Sequence, residues 1–167
     1  VYACARNCCR STSAVGPVAP EPVRALLQRV SSARVESGGD CVGEIGQGLL
    51  VLLGLDKGDD RAAADAMLAK LLAYRIFADH TGRMNRSVAD VDGGVLLVSQ
   101  FTLSADTRKG LRPGFSAAMP PADAERLYDY LLVQLRGRHP RVAAGVFGAD
   151  MQVSLTNDGP VTLLLEV

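Results

Sequence analysis

The sequence contains few of the residues from which common active sites are built. It has 2 histidines, 4 cysteines and no tryptophan among 167 residues, and 5% of it is aromatic. Three of the cysteines lie near the start, which leaves Cys41 alone in the rest of the chain. This distribution provides no disulfide framework, and neither His80 nor His139 lies at a zinc-ligand spacing from a second ligand pair. We therefore expect no metal and no other cofactor.

The chain also lacks long apolar runs and an excess of charge of either sign. No apolar stretch approaches the roughly 18 residues that cross a bilayer, so no membrane partner is expected. The 18 basic and 18 acidic side chains give a formal net charge of +0, whereas a general nucleic-acid binder usually has a basic excess. No secretory apolar region is evident, and a reducing cytoplasm suits the unpaired Cys41. We expect a cytoplasmic protein without a DNA partner.

Composition and length together predict one globular domain. The sequence is 48% hydrophobic and 22% charged, which is typical of a soluble globular chain, and 167 residues suit a single core. Residues 1–22 show no hydrophobic periodicity and end in a proline-rich stretch. We therefore expect residues 1–22 to be a disordered or mis-annotated extension, and residues 23–167 to form the domain.

Periodicity within the domain predicts strands in series with two inserted helices. Ser37–Asp40 separates two β-prone runs and predicts a hairpin. Asp59 or Asp60 is expected to cap a first helix that ends near Arg75, and Pro121 to lie in the first turn of a second. Strands separated by turns are predicted at Leu49–Leu53, Val95–Leu103, Met151–Leu155 and Val161–Leu165. This pattern favours an α+β fold.

The residues alone do not define a conventional side-chain active site. The two histidines lie in polar stretches that we expect to be exposed, and no G-x-S-x-G or phosphate-binding glycine motif is present. Two segments are nevertheless unusual. Ser99–Leu103 (SQFTL) places polar residues abruptly after an apolar run, and Asn157–Thr162 (NDGPVT) is rich in turn formers. On the residues alone, a strand end that reaches solvent is the better explanation of the first segment, and an ordinary turn is the better explanation of the second.

Four segments together resemble a known family. Arg24–Val30 (RALLQRV), Ser99–Leu103, Phe147–Met151 (FGADM) and Asn157–Thr162 occur in the order and spacing of the D-aminoacyl-tRNA deacylase family. The resemblance covers residues 23–167, although Ser104 stands where the family often has an aromatic residue. It implies a barrel-like sheet of mostly antiparallel strands with two main helices, working as a homodimer.

The resemblance also implies an activity and a substrate. The expected reaction is hydrolysis of the ester of D-aminoacyl-tRNA, and of mischarged glycyl-tRNA, bound by the 3′ CCA end. Gly159 and Pro160 would be joined by a cis peptide whose glycine carbonyl enters the partner's pocket and excludes L side chains. Arg29 would brace this element or the adenosine. The tRNA 2′-hydroxyl would assist catalysis in place of a protein base.

Four consecutive residues are the expected catalytic segment. The resemblance implies that backbone N–H groups of Phe101 and Thr102 stabilise the developing oxyanion, and that Ser99 and Gln100 shape the pocket. Thr102 as a covalent nucleophile is the alternative. Arginine-rich clusters are either tRNA contacts or solvated surface: Arg108, Lys109 and Arg112, and Arg136, Arg138 and Arg141. A non-catalytic RNA-binding module and a general esterase are the competing functions.

Overall fold

The computed structural model describes residues 23–108 and 110–167. The predictions for residues 1–22 and for Lys109 lie outside the described residues. In the described part the strands are β1 (Arg24–Ser37), β2 (Asp40–Ile45), β3 (Gly48–Gly54), β4 (Phe77–Ala78), β5 (Met84–Arg86), β6 (Gly94–Ser99), β7 (Val142–Ala144) and β8 (Gln152–Glu166). The α-helices are α1 (Arg61–Ala73) and α2 (Pro121–Arg138), and a 3-10 helix spans Phe101–Ser104.

Strand β1 is the centre of the main sheet. Its first half, Arg24–Val30, pairs antiparallel with β3, and its second half, Ala33–Ser37, pairs antiparallel with β2. Strand β8 pairs antiparallel along the opposite edge of β1, while β3, β6 and β7 run parallel. The sheet nearly closes into a barrel, because a Cβ on Gly43 of β2 would lie 2.8 Å from Ala144 O of β7. The predicted α+β fold with a barrel-like sheet, two main helices and one compact domain is confirmed.

Alternate residues of β3 enter two different cores. Leu49, Val51 and Leu53 pack with the helices, whereas Leu50 packs inside the barrel with Leu96 of β6. Successive strand residues point to opposite faces, so an apolar residue at every position is what a doubly covered strand requires. Burying each such side chain contributes about 1.5–3 kcal/mol. The predicted strand at Leu49–Leu53 is therefore confirmed.

Both helices begin as their sequences predict. The side chain of Asp60 accepts a hydrogen bond from Ala63 N at 2.9 Å and caps α1. Pro121 occupies the first turn of α2, where its missing N–H costs nothing. Neither α1 nor α2, the α-helices of the described residues, is long and apolar enough to cross a membrane.

Two predicted boundaries are wrong. The strand predicted at Val95–Leu103 ends at Ser99, because the chain turns into the 3-10 helix after Gln100 N bonds to Leu53 O at 2.7 Å. The predicted turn at Asn157–Pro160 is instead an outward bulge within the single strand β8. Pairing with β1 continues on both sides of the bulge, so the strand does not end there.

Candidate active site

A cavity of about 860 Å³ opens beside the carboxyl end of β6. One wall is formed by Ser99, Gln100 and Phe101, and another by residues 147–151. The first turn of α2 contributes Pro121. The volume of the cavity falls within the range of about 300–1,000 Å³ that is usual for small-molecule sites. The first three residues of the predicted SQFTL segment are thus part of a concave surface.

The segment Ser99–Thr102, whose first three residues line the cavity, contains helix-start N–H groups and one side-chain hydrogen bond. Phe101 and Thr102 are the first two residues of the 3-10 helix, and N–H groups at a helix start have no acceptor within the helix. Both residues are exposed. The Gln100 Nε2 group donates to Thr102 Oγ1 at 2.5 Å. This contact fixes the amide of Gln100 and occupies a lone pair of the Thr102 hydroxyl.

Neither histidine is placed to serve as a base in this cavity. His139 is 4% exposed, so its predicted exposure is wrong, and its Nε2 lies 2.7 Å from Gly93 O. The burial results from packing of the end of α2 against the turn before β6. His80 is exposed, as expected. No group of three or more potential metal-ligating side chains occurs among the residues that the structure describes.

The Gly159–Pro160 segment projects from β8 opposite one residue of β1. Its peptide bond is cis. Gln28 of β1 pairs with Thr162, and the next paired residue, Val30, faces Asn157, so the intervening β8 residues loop out opposite Arg29. The bulge is therefore held at both ends by sheet pairing.

Arg29 braces the bulge through its guanidinium group. Its Nε donates to Asp158 O at 2.8 Å and lies 3.3 Å from the Asp158 carboxylate. Its Nη1 donates to Ile76 O at 2.6 Å. Arg29 therefore ties the residue before Gly159 to the segment that follows α1. The structure places it against the Gly-Pro element rather than on the cavity wall.

Asn157 forms a second brace, which was not predicted from the sequence. Its Oδ1 accepts from Val161 N at 2.7 Å, and its Nδ2 donates to Val161 O at 3.1 Å and to Thr162 Oγ1 at 3.0 Å. One side chain thus closes the base of the bulge. Asparagine side chains often bond to the backbone two or more residues on, so asparagine before Asp-Gly-Pro is the sequence signal for this brace.

One chain does not bring the two motifs together. Gly159 and Pro160 are exposed and do not line the cavity that contains Ser99, Gln100 and Phe101. The same strand, β8, exposes several apolar side chains, of which Val153 lines the cavity: Val153, Leu155 and Leu164. A site that used both motifs would need a second copy of the chain.

The ion pair of Arg24 with the buried Asp56 contacts the 3-10 helix through the carbonyl of Leu103. Asp56 is 1% exposed, and its carboxylate oxygens have no hydrogen-bond partner among the described residues. Arg24 Nη1 lies 3.3 Å from Asp56 Oδ2 and also donates to Leu103 O at 3.3 Å. Asp56 N donates to Asp59 Oδ2 at 2.6 Å. Burial, with the neighbouring charge of Asp56 adding to it, raises the pKa of Asp59 to about 6.

The predicted basic clusters are partly committed to ion pairs. Arg108 pairs with Asp106 at 2.9 Å, Arg138 pairs with Asp65 at 2.6 Å, and Arg141 pairs with Asp92. Arg112 and Arg136 are exposed. The charge that these clusters offer to a phosphate backbone is therefore smaller than the sequence suggests.

The sequence matches a family model and named relatives over nearly the whole described domain. The family model described as D-Tyr-tRNA(Tyr) deacylase matches residues 26–166. The D-aminoacyl-tRNA deacylase of Stutzerimonas stutzeri (strain A1501) is 63% identical over 144 residues, covering 86% of this chain and 99% of that protein. The D-aminoacyl-tRNA deacylase of Cellvibrio japonicus (strain Ueda107) is 62% identical over 142 residues, covering 85% and 97%.

Solved structures share the fold. The c-Myc DNA Unwinding Element Binding Protein superposes with a TM-score of 0.83 at 42% identity, covering 86% of this chain and 98% of that one. A probable eukaryotic D-amino acid tRNA deacylase superposes with a TM-score of 0.77 at 18% identity, covering 87% of this chain and 99% of that one. At this identity the comparison shows a similar fold alone.

The chain therefore belongs to the D-Tyr-tRNA(Tyr) deacylase family. The resemblance and the enzyme class predicted from the sequence, a D-aminoacyl-tRNA deacylase, are both confirmed.

Proposed function

We propose that this enzyme hydrolyses the ester joining a D-amino acid, or glycine, to the terminal adenosine of tRNA, and that it rejects L-amino acids by a cross-subunit clash. The observation that carries the proposal is the separation of the two motifs. Ser99, Gln100 and Phe101 of the SQFTL segment line a cavity, whereas Gly159 and Pro160 are exposed and do not line the cavity of their own chain. A homodimer would allow each chain to complete the other's site.

Exposed apolar side chains on β8 suit such a dimer. Leu155 and Leu164 are exposed on the strand that carries the Gly-Pro bulge, as is Val153, which also lines the cavity. Apolar side chains grouped on one strand favour burial against a partner. Two copies paired through this surface would carry Gly159 and Pro160 towards the partner's cavity, and the brace from Arg29 would hold their position.

Selection by the glycine carbonyl would act through exclusion. With backbone atoms beside the chiral carbon, an L side chain has no room, while a D side chain points elsewhere. Glycine has no side chain to exclude, so glycyl-tRNA is also a substrate. A steric clash against the wrong substrate discriminates without any added contact to the right one.

The chemistry uses backbone donors and the substrate's own hydroxyl. Water adds to the ester carbonyl, the bond to the ribose oxygen breaks, and the products are a free amino acid and tRNA. The adjacent 2′-hydroxyl assists the proton transfers, since neither histidine lines the cavity. The N–H groups of Phe101 and Thr102 stabilise the oxyanion, at about 3–4 kcal/mol per donor.

Ser99 and Gln100 hold this segment in shape. We favour the backbone role of Thr102 over covalent attack by its hydroxyl, because Oγ1 already accepts the Gln100 amide hydrogen at 2.5 Å. Thr102→Ser and Thr102→Val separate the two: a backbone role predicts that the valine variant, which lacks the hydroxyl, retains hydrolysis.

The decisive experiment compares deacylation of D-Tyr-tRNA and L-Tyr-tRNA by wild type and by a Gly159→Ala, Pro160→Ala double mutant. A Cβ at Gly159 would lie 2.9 Å from Val161 N, at a φ of +143°, so the bulge must shift. Gly38→Ala is the matched control, because Gly38 also has positive φ but open space around it. We expect D-selective hydrolysis that the double mutant loses or extends to the L form, and that Gly38→Ala keeps.

Two further measurements separate the competing functions. A tRNA ending in 2′-deoxyadenosine should be hydrolysed far more slowly, whereas a general esterase would be indifferent to the missing hydroxyl. Glycyl-tRNA should be cleaved. A folded dimer that binds tRNA but cleaves neither D-Tyr-tRNA nor glycyl-tRNA would favour the binding-module function instead.

A further inference from the structure

We propose that the side chains of Phe101 and Phe115 form a stacking platform for the cytosine that precedes the terminal adenosine, and that Lys57 contacts the adjoining phosphate. The ligand is one nucleotide unit of the single-stranded 3′ end. This inference rests on the proposed function, because it extends the same site by one nucleotide.

The two phenylalanines form an exposed aromatic pair at the mouth of the cavity. Their ring centroids are 5.1 Å apart with planes tilted by 57°. Phe101 is 61% exposed and Phe115 is 39% exposed, although both line the cavity. Phe77, in contrast, is buried, and Phe147 packs on buried Tyr128. Rings that stay at a cavity mouth offer a surface on which a flat ligand can stack.

The platform is fixed by the backbone on both sides. Phe101 lies in the 3-10 helix. Before Phe115, Asp106 and Gly114 exchange two backbone hydrogen bonds of 2.7 and 3.0 Å. After it, Lys57 N donates to Ala117 O at 2.9 Å. A preformed platform loses little conformational entropy on binding.

The direction of the substrate places a nucleotide at this position. Phe101 is adjacent to Thr102, and the N–H groups of these two residues are our donors to the ester carbonyl. The terminal adenosine therefore occupies the cavity beside them, and the preceding nucleotide must leave through the mouth. Every base has a π-face, and stacking on an aromatic side chain is a common means of holding single-stranded nucleic acid.

Lys57 supplies the charge that the phosphate needs. Its side chain is exposed, lines the same cavity, and also lines the adjoining cavity of about 530 Å³ beside the start of α1. It forms no ion pair with any residue that the structure describes. Lys57 therefore lies where the strand would leave the first cavity.

The kinetic test uses two substrates that differ by the nucleotides before the terminal adenosine. Phe115→Leu keeps an apolar side chain but removes the ring, and Phe115→Tyr keeps the ring. Hydrolysis is measured on D-Tyr-tRNA and on 3′-O-D-tyrosyl-adenosine, a single-nucleoside ester. We expect Phe115→Leu to lower kcat/KM on the tRNA by roughly 5- to 100-fold, mainly through KM, with a much smaller change on the nucleoside ester and recovery by Phe115→Tyr.

The controls exclude general damage and test the phosphate contact. Val133→Ala removes an equally exposed apolar side chain (63%) from α2 and should leave both rates unchanged. Lys57→Gln should reduce the slope of log kcat/KM against log salt concentration on tRNA by about 0.7, the value for one contact to a single strand. An equal loss by Phe115→Leu on both substrates, or no loss on either, would overturn the platform.

A binding measurement keeps this inference separate from the catalytic proposal. Calorimetric titration compares the trinucleotide CCA with adenosine. Wild type should bind CCA more tightly than adenosine by roughly fivefold or more, and Phe115→Leu should reduce that advantage while leaving the part that Lys57 contributes. If wild type cleaves no D-aminoacyl ester but still shows the Phe115-dependent preference, the proposed function fails and the platform stands. If cleavage is D-selective without the preference, the platform fails alone.

Discussion

Removal of Arg24 should destabilise the enzyme severely, because it leaves a buried charge without compensation. Asp56 is 1% exposed and has no hydrogen-bond partner for its carboxylate in the described chain, so the Arg24 guanidinium at 3.3 Å compensates it by charge. Breaking a buried pair by removing one partner costs about 3–5 kcal/mol. Since a domain has about 5–15 kcal/mol of stability in total, Arg24→Met should lose a large share of it.

Urea unfolding measures this loss, and a second substitution tests its cause. Arg24→Met should lower the free energy of unfolding by about 3–5 kcal/mol, while Arg24→Met with Asp56→Leu should recover most of it because no buried charge remains. Arg34→Met is the control, since it breaks an exposed pair with Glu36, and exposed pairs contribute about 0–1 kcal/mol. The reasoning fails if Arg24→Met costs no more than Arg34→Met, or if the double variant is no better than the single one.

Three other substitutions follow from contacts described here. The pKa of Asp59 is raised to about 6 in the folded state, so its contribution to stability is full below pH 4 and is lost as the pH rises through 6. In urea unfolding, the free energy of unfolding of Asp59→Asn should therefore rise relative to that of wild type between pH 4 and 7. A difference that does not change with pH would contradict this. Tyr128 donates to Leu97 O at 3.1 Å in the core, and Gly145 N donates to the same carbonyl at 2.9 Å. Because Tyr128→Phe leaves that carbonyl satisfied, it should cost only about 0.5–1.5 kcal/mol in thermal unfolding, and a larger loss would contradict this. A Cβ on Gly48 would overlap Gly94 O and lie 2.6 Å from Gly94 N, so Gly48→Ala should give no folded protein by circular dichroism. A native melting curve for this variant would be evidence against the close approach of β3 and β6.

Features determined by neighbouring residues could be predicted from the sequence. The apolar run at Leu49–Leu53 required a strand covered on both faces, and Asp60 caps α1 through a residue three positions away. Ser37–Asp40 forms the predicted hairpin between β1 and β2. In each case the interactions that decide the structure lie within a few residues of the pattern itself.

Features determined by distant partners could not be predicted. Pairing with β1, far away in sequence, keeps β8 continuous through Asn157–Pro160. The burial of His139 depends on Gly93, and the pair of Arg24 with Asp56 joins residues with no common motif. The candidate site divides in the same way: the segment Ser99–Thr102 was identified from its motif, whereas the brace formed by Asn157 emerged from the folded contacts.

The bulge of β8 also has a mechanical consequence. A gate that distinguishes mirror-image substrates, as we propose, must keep its position to within less than the width of a methyl group. A free loop moves more than that, but Gly159 and Pro160 are suspended between two paired stretches of one strand and tied by Arg29. Under that proposal, the accuracy of the enzyme rests on the stiffness of its sheet, and a distant core substitution that loosens β1 would increase errors before it lowered the rate.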